Sequence, residues 1–209
     1  MASVYPSTHP LVHGKLASLR DTRTGPAEFR RLVRSLAILL AQEATADLAT
    51  KVIRVTTPLG PAPGRVLVDP LAVVPILRAG LGMAEGILDL IPEAEVWHLG
   101  LYRDEQTLSP VAYYNKLPPL PRFTVALLVD PMLATGGSAV QACTLLRAAG
   151  VTRIKLISLI AAPDGIARMA DAMPDVPIHV GAVDERLNDV GFICPGLGDA
   201  GDRQFGTGH

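Results

Sequence analysis

The sequence contains little cysteine and no long apolar run. Its 209 residues include two cysteines, Cys143 and Cys194, without metal-ligand spacing or histidine partners, so we expect two free thiols and no metal site built from protein ligands. No apolar stretch approaches the roughly 20 residues of a membrane-spanning helix, and we expect no membrane partner. The opening residues MASVYPSTHP have neither the basic start nor the apolar core of a signal peptide, and we therefore expect a cytoplasmic protein.

The chain also has no excess of charge. Its formal net charge of −1 gives no general attraction to nucleic acid, and we expect no nucleic-acid partner. We find no internal repeat and no low-complexity segment. With 49% hydrophobic residues over 209 positions, the chain is long and apolar enough for a single domain spanning residues 1–209.

The stretch from Phe123 to Gly150 organises the rest of the chain. Val125–Val129 is an unbroken apolar run, typical of a parallel strand that is covered by helices on both faces, and Asp130 ends it. From Thr135 a glycine turn leads into a predicted helix, whose free N–H groups and dipole favour a phosphate. The glycines alone favour an ordinary βα turn. The carboxylate beside them favours a ligand with both phosphate and hydroxyl groups, such as a ribose phosphate.

The sequence VDPMLATGGS (Val129–Ser138) resembles the motif of type I phosphoribosyltransferases that binds phosphoribosyl pyrophosphate (PRPP), in the form found in the uracil branch of that family. Most relatives carry a second acid where this chain has Pro131, as the uracil branch does. The resemblance implies that Asp130 holds the ribose hydroxyls and that Leu133–Ser138 hold the 5′-phosphate. The PRPP-binding residues that it implies here are Asp130, Pro131, Met132, Leu133, Ala134, Thr135, Gly136, Gly137 and Ser138.

A second candidate site follows the apolar strand LAVVPIL, which ends at Arg78-Ala79-Gly80. From the residues alone, anion binding by Arg78 and an ordinary loop are equally favoured. However, PILRAGLGM (Pro75–Met83) is similar to the family's pyrophosphate loop, which implies that Arg78 meets the diphosphate of PRPP. The resemblance also implies a cis peptide bond without proline in this loop, and the Arg78-Ala79 bond is the one we consider.

A hairpin arm is predicted at about residues 95–118, where a strand over Glu95–Leu101 is followed by charged residues and a returning strand. A solvated hairpin tip explains the charges. The sequence GLYRDEQTLSPVAYYNKLP also resembles a mobile loop of the uracil branch, which implies that Arg103 reaches the diphosphate. A flexible lid suits a reaction that must exclude water.

The C-terminal sequence GFICPGLGDAGDRQFGT (Gly191–Thr207) satisfies G-x-G-x-x-G, but too few residues follow for a dinucleotide-binding unit. Its glycines suit either exposed backbone amides or a structural cap, and Cys194 is interpreted as packing. The segment resembles the family's uracil-binding loop, part of a hood at about residues 184–209. That resemblance implies uracil contacts at Ile193, Gly198, Asp199 and Ala200, chiefly from the main chain, and a PRPP contact from Asp199.

Outside these motifs, residues 1–24 are expected to form an arm across a partner or across the domain itself. A helix from Pro26 carries an apolar stripe, with Arg30, Arg31 and Arg34 mostly on a solvated face. We expect a strand at Lys51–Thr57, followed by a loop through PLGPAPG. The later elements that we predict are a strand at Ile154–Ala162, a helix at Pro163–Met173 and a strand at Ile178–Val183.

The family resemblance implies an α/β type I phosphoribosyltransferase fold, with a central parallel sheet flanked by helices, a β-arm and a C-terminal hood. It implies transfer of a phosphoribosyl group from PRPP to N1 of uracil, with Arg78, Arg103 and Asp130 as catalytic residues. Mg²⁺ would bind mainly through the diphosphate and water. A homodimer or larger homo-oligomer and GTP as a candidate activator follow from the family. The alternatives are a regulator with this fold that binds RNA, and a phosphoribosyltransferase for another base.

Overall fold

A computed structural model describes residues 3–103, 110–118 and 125–207. Its helices are α1 (Pro10–Arg20), α2 (Pro26–Ala44), α3 (Leu81–Leu90), α4 (Gly137–Ala148), α5 (Pro163–Ala172) and α6 (Ala200–Phe205). Its strands are β1 (Val4–Pro6), β2 (Thr50–Thr57), β3 (Gly60–Leu67), β4 (Leu71–Leu77), β5 (Glu95–Val96), β6 (Leu99–Arg103), β7 (Pro110–Asn115), β8 (Val125–Val129), β9 (Met132–Leu133), β10 (Arg153–Ala161), β11 (Ile178–Val183), β12 (Arg186–Leu187) and β13 (Ile193–Cys194). Within these ranges, no helix has the length and apolar character needed to span a bilayer.

The predicted parallel sheet is confirmed. Its main path runs β1, β11, β10, β8, β4, β6, β7, with β5 beside β4 and β9 beside β10. These pairs are parallel except for β6 and β7, which form an antiparallel hairpin at one edge. The strands β4, β8 and β10 are central, so their carboxyl ends open into one crevice, where ligands bind in sheets of this kind.

Helices cover both faces of the sheet, as the apolar strands predict. Along β8, Val125, Leu127 and Val129 face the cluster that contains α1, α2 and α3. The alternate residues Ala126 and Leu128 face the cluster with α4 and α5. Successive strand side chains point to opposite faces, so burial on both faces requires an unbroken apolar run. The sequence pattern of β8 is thereby explained.

The predicted apolar stripe of α2 is also confirmed. Its buried residues recur at intervals of three and four, because such residues lie on one face of a helix. They include Phe29, Leu32, Val33, Leu36 and Leu40, whereas Leu39 is partly buried at the edge of the stripe.

Two predictions about secondary structure are corrected. Residues 60–64, expected as part of a loop, belong to β3, which pairs antiparallel with β2 as a separate two-stranded ribbon. Pro61 and Pro63 are compatible with β3 because the ribbon has no third strand that needs their missing N–H groups. The single strand expected at Glu95–Leu101 is divided between β5 and β6.

Residues 3–24 lie across their own domain. Ser7 N donates to Val180 O, which continues the pairing of β1 with β11, and α1 buries Val12, Leu16 and Leu19 in the core. This segment therefore belongs to the same packed unit as the sheet.

Candidate active site

The central turn begins where β8 ends. The carboxylate of Asp130 follows Val129, and the carbonyl oxygen of Pro131 accepts hydrogen bonds from Leu159 N at 3.0 Å and Ile160 N at 3.1 Å. Leu133 O accepts from Ala162 N at 2.9 Å. These bonds fix the segment after Asp130 against β10, the neighbouring central strand.

The glycine turn leads into α4 as predicted. Gly136 has φ +77°, in the left-handed region that favours glycine, and a Cβ there would lie 2.9 Å from Gly165 O. The helix begins at Gly137 without a side-chain cap, so its first N–H groups face the turn without that partner. The first N–H groups of α4 therefore lie at the turn where the sequence predicts an anion.

Sequence reasoning missed Gly165, which supports this turn from α5. A Cβ on Gly165 would lie 2.5 Å from Ala134 O and 2.7 Å from Leu133 O. Both distances are shorter than real contacts allow, so any side chain at position 165 would push the turn out of place. A single glycine near the start of a helix carries no signal that could have revealed this role.

A cavity of about 80 Å³ opens over the turn, lined by Asp130 after β8, by the turn itself and by residues from β9, β10 and α4. The hydroxyl of Ser158 lies at this cavity, is fully buried, and has no hydrogen-bond partner among the described residues. Sequence reasoning missed Ser158, which lies in the middle of the apolar strand β10. The predicted PRPP-binding residues Asp130 and Met132–Ser138 all line the cavity, together with Ala139, Leu156 and Ser158.

Asp130 lies in an environment that disfavours its charge. Burial raises its pKa from 3.8 to about 7, and the negative charge of Asp199 adds to this shift, whereas a hydrogen bond from Met132 N opposes it. Asp199 belongs to the C-terminal hood, so the hood adds negative charge to the surroundings of Asp130. A carboxyl group with a pKa near neutrality is a common feature of functional sites.

The loop after β4 packs closely against the end of β8, and this close approach requires a glycine at position 80. A Cβ on Gly80 would lie 2.6 Å from Val129 O, the residue before Asp130. The loop contains the implied cis bond, but at Leu77-Arg78, one bond before the position considered from the sequence. The Arg78 side chain is 58% exposed and lies 3.6 Å from an oxygen of Asp202. Arg78 is therefore available to an anion in the crevice.

The C-terminal hood consists of a pair of short strands followed by a short helix. Its strands β12 and β13 pair, Cys194-Pro195 is cis, and Gly198 has φ +79° before the short helix α6 begins. Asp199 caps α6 by accepting from Asp202 N at 2.9 Å. The G-x-G-x-x-G match thus leads into a helix of six residues, which is too short for a dinucleotide-binding unit.

Gln204 on α6, another residue missed from the sequence, joins the hood to the Arg78 loop. Its Nε2 donates to Ala79 O at 2.8 Å and to Ala200 O at 3.1 Å, and it is almost fully buried. A Cβ on Gly201 would lie 4.0 Å from Ala79 Cβ, so the two segments are in contact. The predicted residues of the central turn, the Arg78 loop and the hood are therefore brought together.

Arg103 is not placed by these contacts. Its backbone ends β6 and pairs with Pro110, but its side chain and residues 104–109 lie outside the described part of the chain. The predicted role of Arg103 stays a prediction. Cys143 and Cys194 are both free, and burial raises the pKa of the Cys143 thiol to about 12.

Comparisons with known proteins decide the family. Residues 6–207 match the family model described as uracil phosphoribosyltransferase. The chain belongs to the uracil phosphoribosyltransferase family. It is 56% identical to a uracil phosphoribosyltransferase of Roseiflexus castenholzii, with 100% of both chains covered. It is also 56% identical to the uracil phosphoribosyltransferase of Thermus thermophilus, over 95% of this chain and 96% of that protein.

Solved structures confirm the fold that the uracil phosphoribosyltransferase family implies. A protein from Aquifex aeolicus superposes with a TM-score of 0.92 at 38% identity and covers 97% of both chains. An adenine phosphoribosyltransferase from Leishmania donovani superposes with a TM-score of 0.55 at 14% identity, over 87% of this chain and 83% of that one. The second likeness shows only the shared type I phosphoribosyltransferase fold.

Proposed function

We propose that the protein transfers the 5-phosphoribosyl group of PRPP to N1 of uracil, giving uridine monophosphate and diphosphate. The observation that carries this proposal is the convergence of three segments on one crevice. Gly80 lies against Val129 O, and Gln204 binds Ala79 O, so the Arg78 loop is held between the central turn and the hood. We assign the phosphate to the central turn, the diphosphate to the Arg78 loop and the base to the hood.

In this proposal the central turn binds the ribose 5′-phosphate through the N–H groups at the start of α4. Asp130 accepts hydrogen bonds from the ribose hydroxyls, because an ionised carboxylate is an acceptor only. Arg78 and Arg103 bind the diphosphate, and their guanidinium groups stabilise its growing charge as the bond to C1′ breaks. The reaction then depends on positioning and electrostatics.

Uracil is proposed to lie under the hood. It presents an acceptor, a donor and an acceptor along O4, N3 and O2, which one backbone carbonyl between two N–H groups can read. Backbone groups at Ile193, Gly198 and Ala200 are the candidates, with Asp199 beside them. Cytosine inverts two of these groups, so a site of this kind would reject it through unpaired polar atoms.

Mg²⁺ is proposed to arrive bound to the diphosphate of PRPP. Across residues 3–103, 110–118 and 125–207, no three His, Cys, Asp or Glu side chains converge into a metal site. Asp130 is a carboxylate at the central turn, and Mg²⁺ commonly takes one or two carboxylates together with substrate phosphates and water. When bound, the ion would neutralise charge on the leaving diphosphate.

Arginines 30, 31 and 34 do not favour the alternative of an RNA-binding regulator. Arg30 donates to Gln204 O, Arg31 pairs with Glu28, and Arg34 bonds Glu85 and Asp89. The basic face of α2 is therefore largely neutralised within the chain, and RNA would have to compete with these partners. A gel-shift assay with pyrimidine-rich RNA tests this alternative directly.

The decisive experiment incubates the protein with PRPP, Mg²⁺ and single bases, and measures diphosphate release and nucleotide formation. We expect uridine monophosphate from uracil and little product from cytosine, hypoxanthine or orotate. A preference for another base would overturn the base assignment while leaving PRPP use intact. Failure to release diphosphate with every base would overturn the activity itself.

Three finer properties stay predictions. A homodimer or larger homo-oligomer is tested by light scattering, GTP activation by assays with and without GTP, and a cytoplasmic location by fractionation of cells. None of them is needed for the chemistry proposed above.

A further inference from the structure

Arg203 on α6 joins the hood to the N-terminal segment. Its Nη1 donates to Leu19 O and to Leu197 O, both at 2.8 Å, and its Nη2 donates to Asp21 O at 2.7 Å. Its guanidinium carbon lies 4.5 Å from the centre of the Phe29 ring. One side chain thus gathers carbonyl groups from positions separated by more than half of the chain.

The same side chain supports Gly198. A Cβ built on Gly198 would lie 3.5 Å from Cδ of Arg203, so the stem of Arg203 packs directly against that backbone. Leu197, whose carbonyl accepts from Arg203, precedes Gly198 in the chain. Gly198 has φ +79°, which other residues rarely adopt, and glycine has the greatest backbone freedom to lose on folding.

A second contact fixes the hood a few residues earlier. Arg20 donates through Nη1 to Asp184 Oδ2 and to Gly196 O, both at 2.7 Å, and Asp184 Oδ2 also accepts from Gly196 N at 2.9 Å. Asp184 is 7% exposed, so this ion pair is shielded from water. Both ends of the turn from Gly196 to Gly198 are therefore held by arginines: Arg20 belongs to the N-terminal segment, and Arg203 contacts it.

We propose that Arg203 is a positioning residue for the nucleobase, with the N-terminal segment at Leu19–Asp21 as its fixed support. This inference rests on the proposed function, because it takes Gly198 as a backbone group that reads uracil. Arg203 lies behind Gly198 and acts through it. Backbone groups that recognise a base must be held in their binding positions in the free protein. A shift of about 1 Å is enough to lose much of a binding or catalytic contact.

Arginine suits this role better than lysine. Its planar guanidinium carries five donors in a fixed arrangement, and three of them reach carbonyls on two segments: Leu19 and Asp21 on one, Leu197 on the other. A lysine keeps the charge and the aliphatic stem, but its compact ammonium group cannot span the same carbonyls. The support itself is rigid because α1 is anchored in the core through Leu19 and its neighbours.

The test compares Arg203→Ala and Arg203→Lys with the control Arg31→Ala, which removes an exposed arginine that pairs with Glu28 within α2. We expect Arg203→Ala to raise KM for uracil by about tenfold or more and to change KM for PRPP by less than about twofold. Arg203→Lys should lie between that variant and the wild type, and the control should match the wild type. Unchanged KM for uracil, or an equal rise in both KM values, would overturn the proposal.

Hydrogen exchange gives a readout that needs no activity. In Arg203→Lys, amide exchange should become faster in residues 193–201 and stay unchanged in residues 125–138. Equal exchange in both proteins would overturn the positioning role even if the kinetics changed. If the wild-type protein does not use uracil, the proposed function fails by itself, and the exchange experiment still decides whether Arg203 orders the hood.

Discussion

Gln204 Nε2 lies 2.8 Å from the carbonyl oxygen of Ala79, and this hydrogen bond connects the C-terminal hood to the loop that carries Arg78. Gln204 is 1% exposed, so its loss would remove a buried donor from the partly exposed carbonyl group of Ala79. The diphosphate and base ends of the proposed site are thereby linked through one side chain.

Gln204→Ala should therefore affect both stability and PRPP use. We expect the free energy of unfolding to fall by about 1–3 kcal/mol and KM for PRPP to rise, because the Arg78 loop loses a support. Thermal unfolding and steady-state kinetics measure the two effects. Gln204→Glu removes the same donor at nearly the same size and should behave similarly; a wild-type KM for PRPP in both variants would contradict the link.

Asp130→Asn should change how stability depends on pH. The folded-state pKa of about 7 exceeds the ordinary value of 3.8, so the native protein holds this proton more tightly than the unfolded chain does. The resulting stabilisation is complete below pH 3.8 and is lost as the pH rises through 7. The variant cannot ionise at this position, so at pH 8 it should unfold at a higher temperature than the wild type. The corresponding gain in free energy of unfolding is at most about 4 kcal/mol. At pH 3.5 the two proteins should be equally stable.

The same variant should bind PRPP poorly, because an amide replaces the carboxylate that is proposed to accept the ribose hydroxyls. In the wild type, kcat/KM for PRPP should rise with pH up to about 7 as Asp130 ionises. A stable Asp130→Asn variant with unchanged kinetics would remove Asp130 from the ribose site.

Gly165→Ala should disturb the central turn from outside it. The new methyl group would lie 2.5 Å from Ala134 O and must displace the turn. We expect KM for PRPP to rise by about tenfold or more, with a loss of roughly 1–3 kcal/mol in stability. Gly14→Ala is the matched control, since a Cβ there meets nothing within 4 Å, and this change in α1 should be neutral or slightly stabilising. A Gly165→Ala protein with normal PRPP kinetics would show that the turn tolerates displacement.

Arg78→Ala should separate activity from stability. The contact between Arg78 and Asp202 is 3.6 Å long and exposed to solvent, so its loss should cost less than about 1 kcal/mol. Turnover and PRPP binding should nevertheless fall strongly, because the diphosphate loses a charge-assisted partner. Differential scanning calorimetry and kinetics on the same preparation test both statements, and near-normal turnover would exclude Arg78 from the diphosphate site.

Arg103→Ala should lower kcat with little effect on uracil binding, because Arg103 is proposed to act on the leaving diphosphate. Rapid mixing and equilibrium binding of uracil distinguish the two quantities. An unchanged kcat would leave this arginine without a role in the reaction.

Strong local patterns made much of the fold predictable. The apolar runs of β4, β8 and β10 identify buried parallel strands, and the stripe of α2 identifies its packed face. The prolines and glycines of residues 58–64 misled the prediction, since these residue types favour turns but also occur in an isolated ribbon.

The sequence by itself determined the sheet, the glycine turn after Asp130 and the candidate residues, because these depend on local periodicity and backbone freedom. Only the tertiary structure decided which groups support them. Gly165, Gln204 and Arg203 act through contacts with residues 31 to 184 positions away along the chain, and Ser158 faces the cavity from a central strand. Local sequence patterns do not indicate such contacts, because the residues that make them come together only when the sheet and the hood pack against each other.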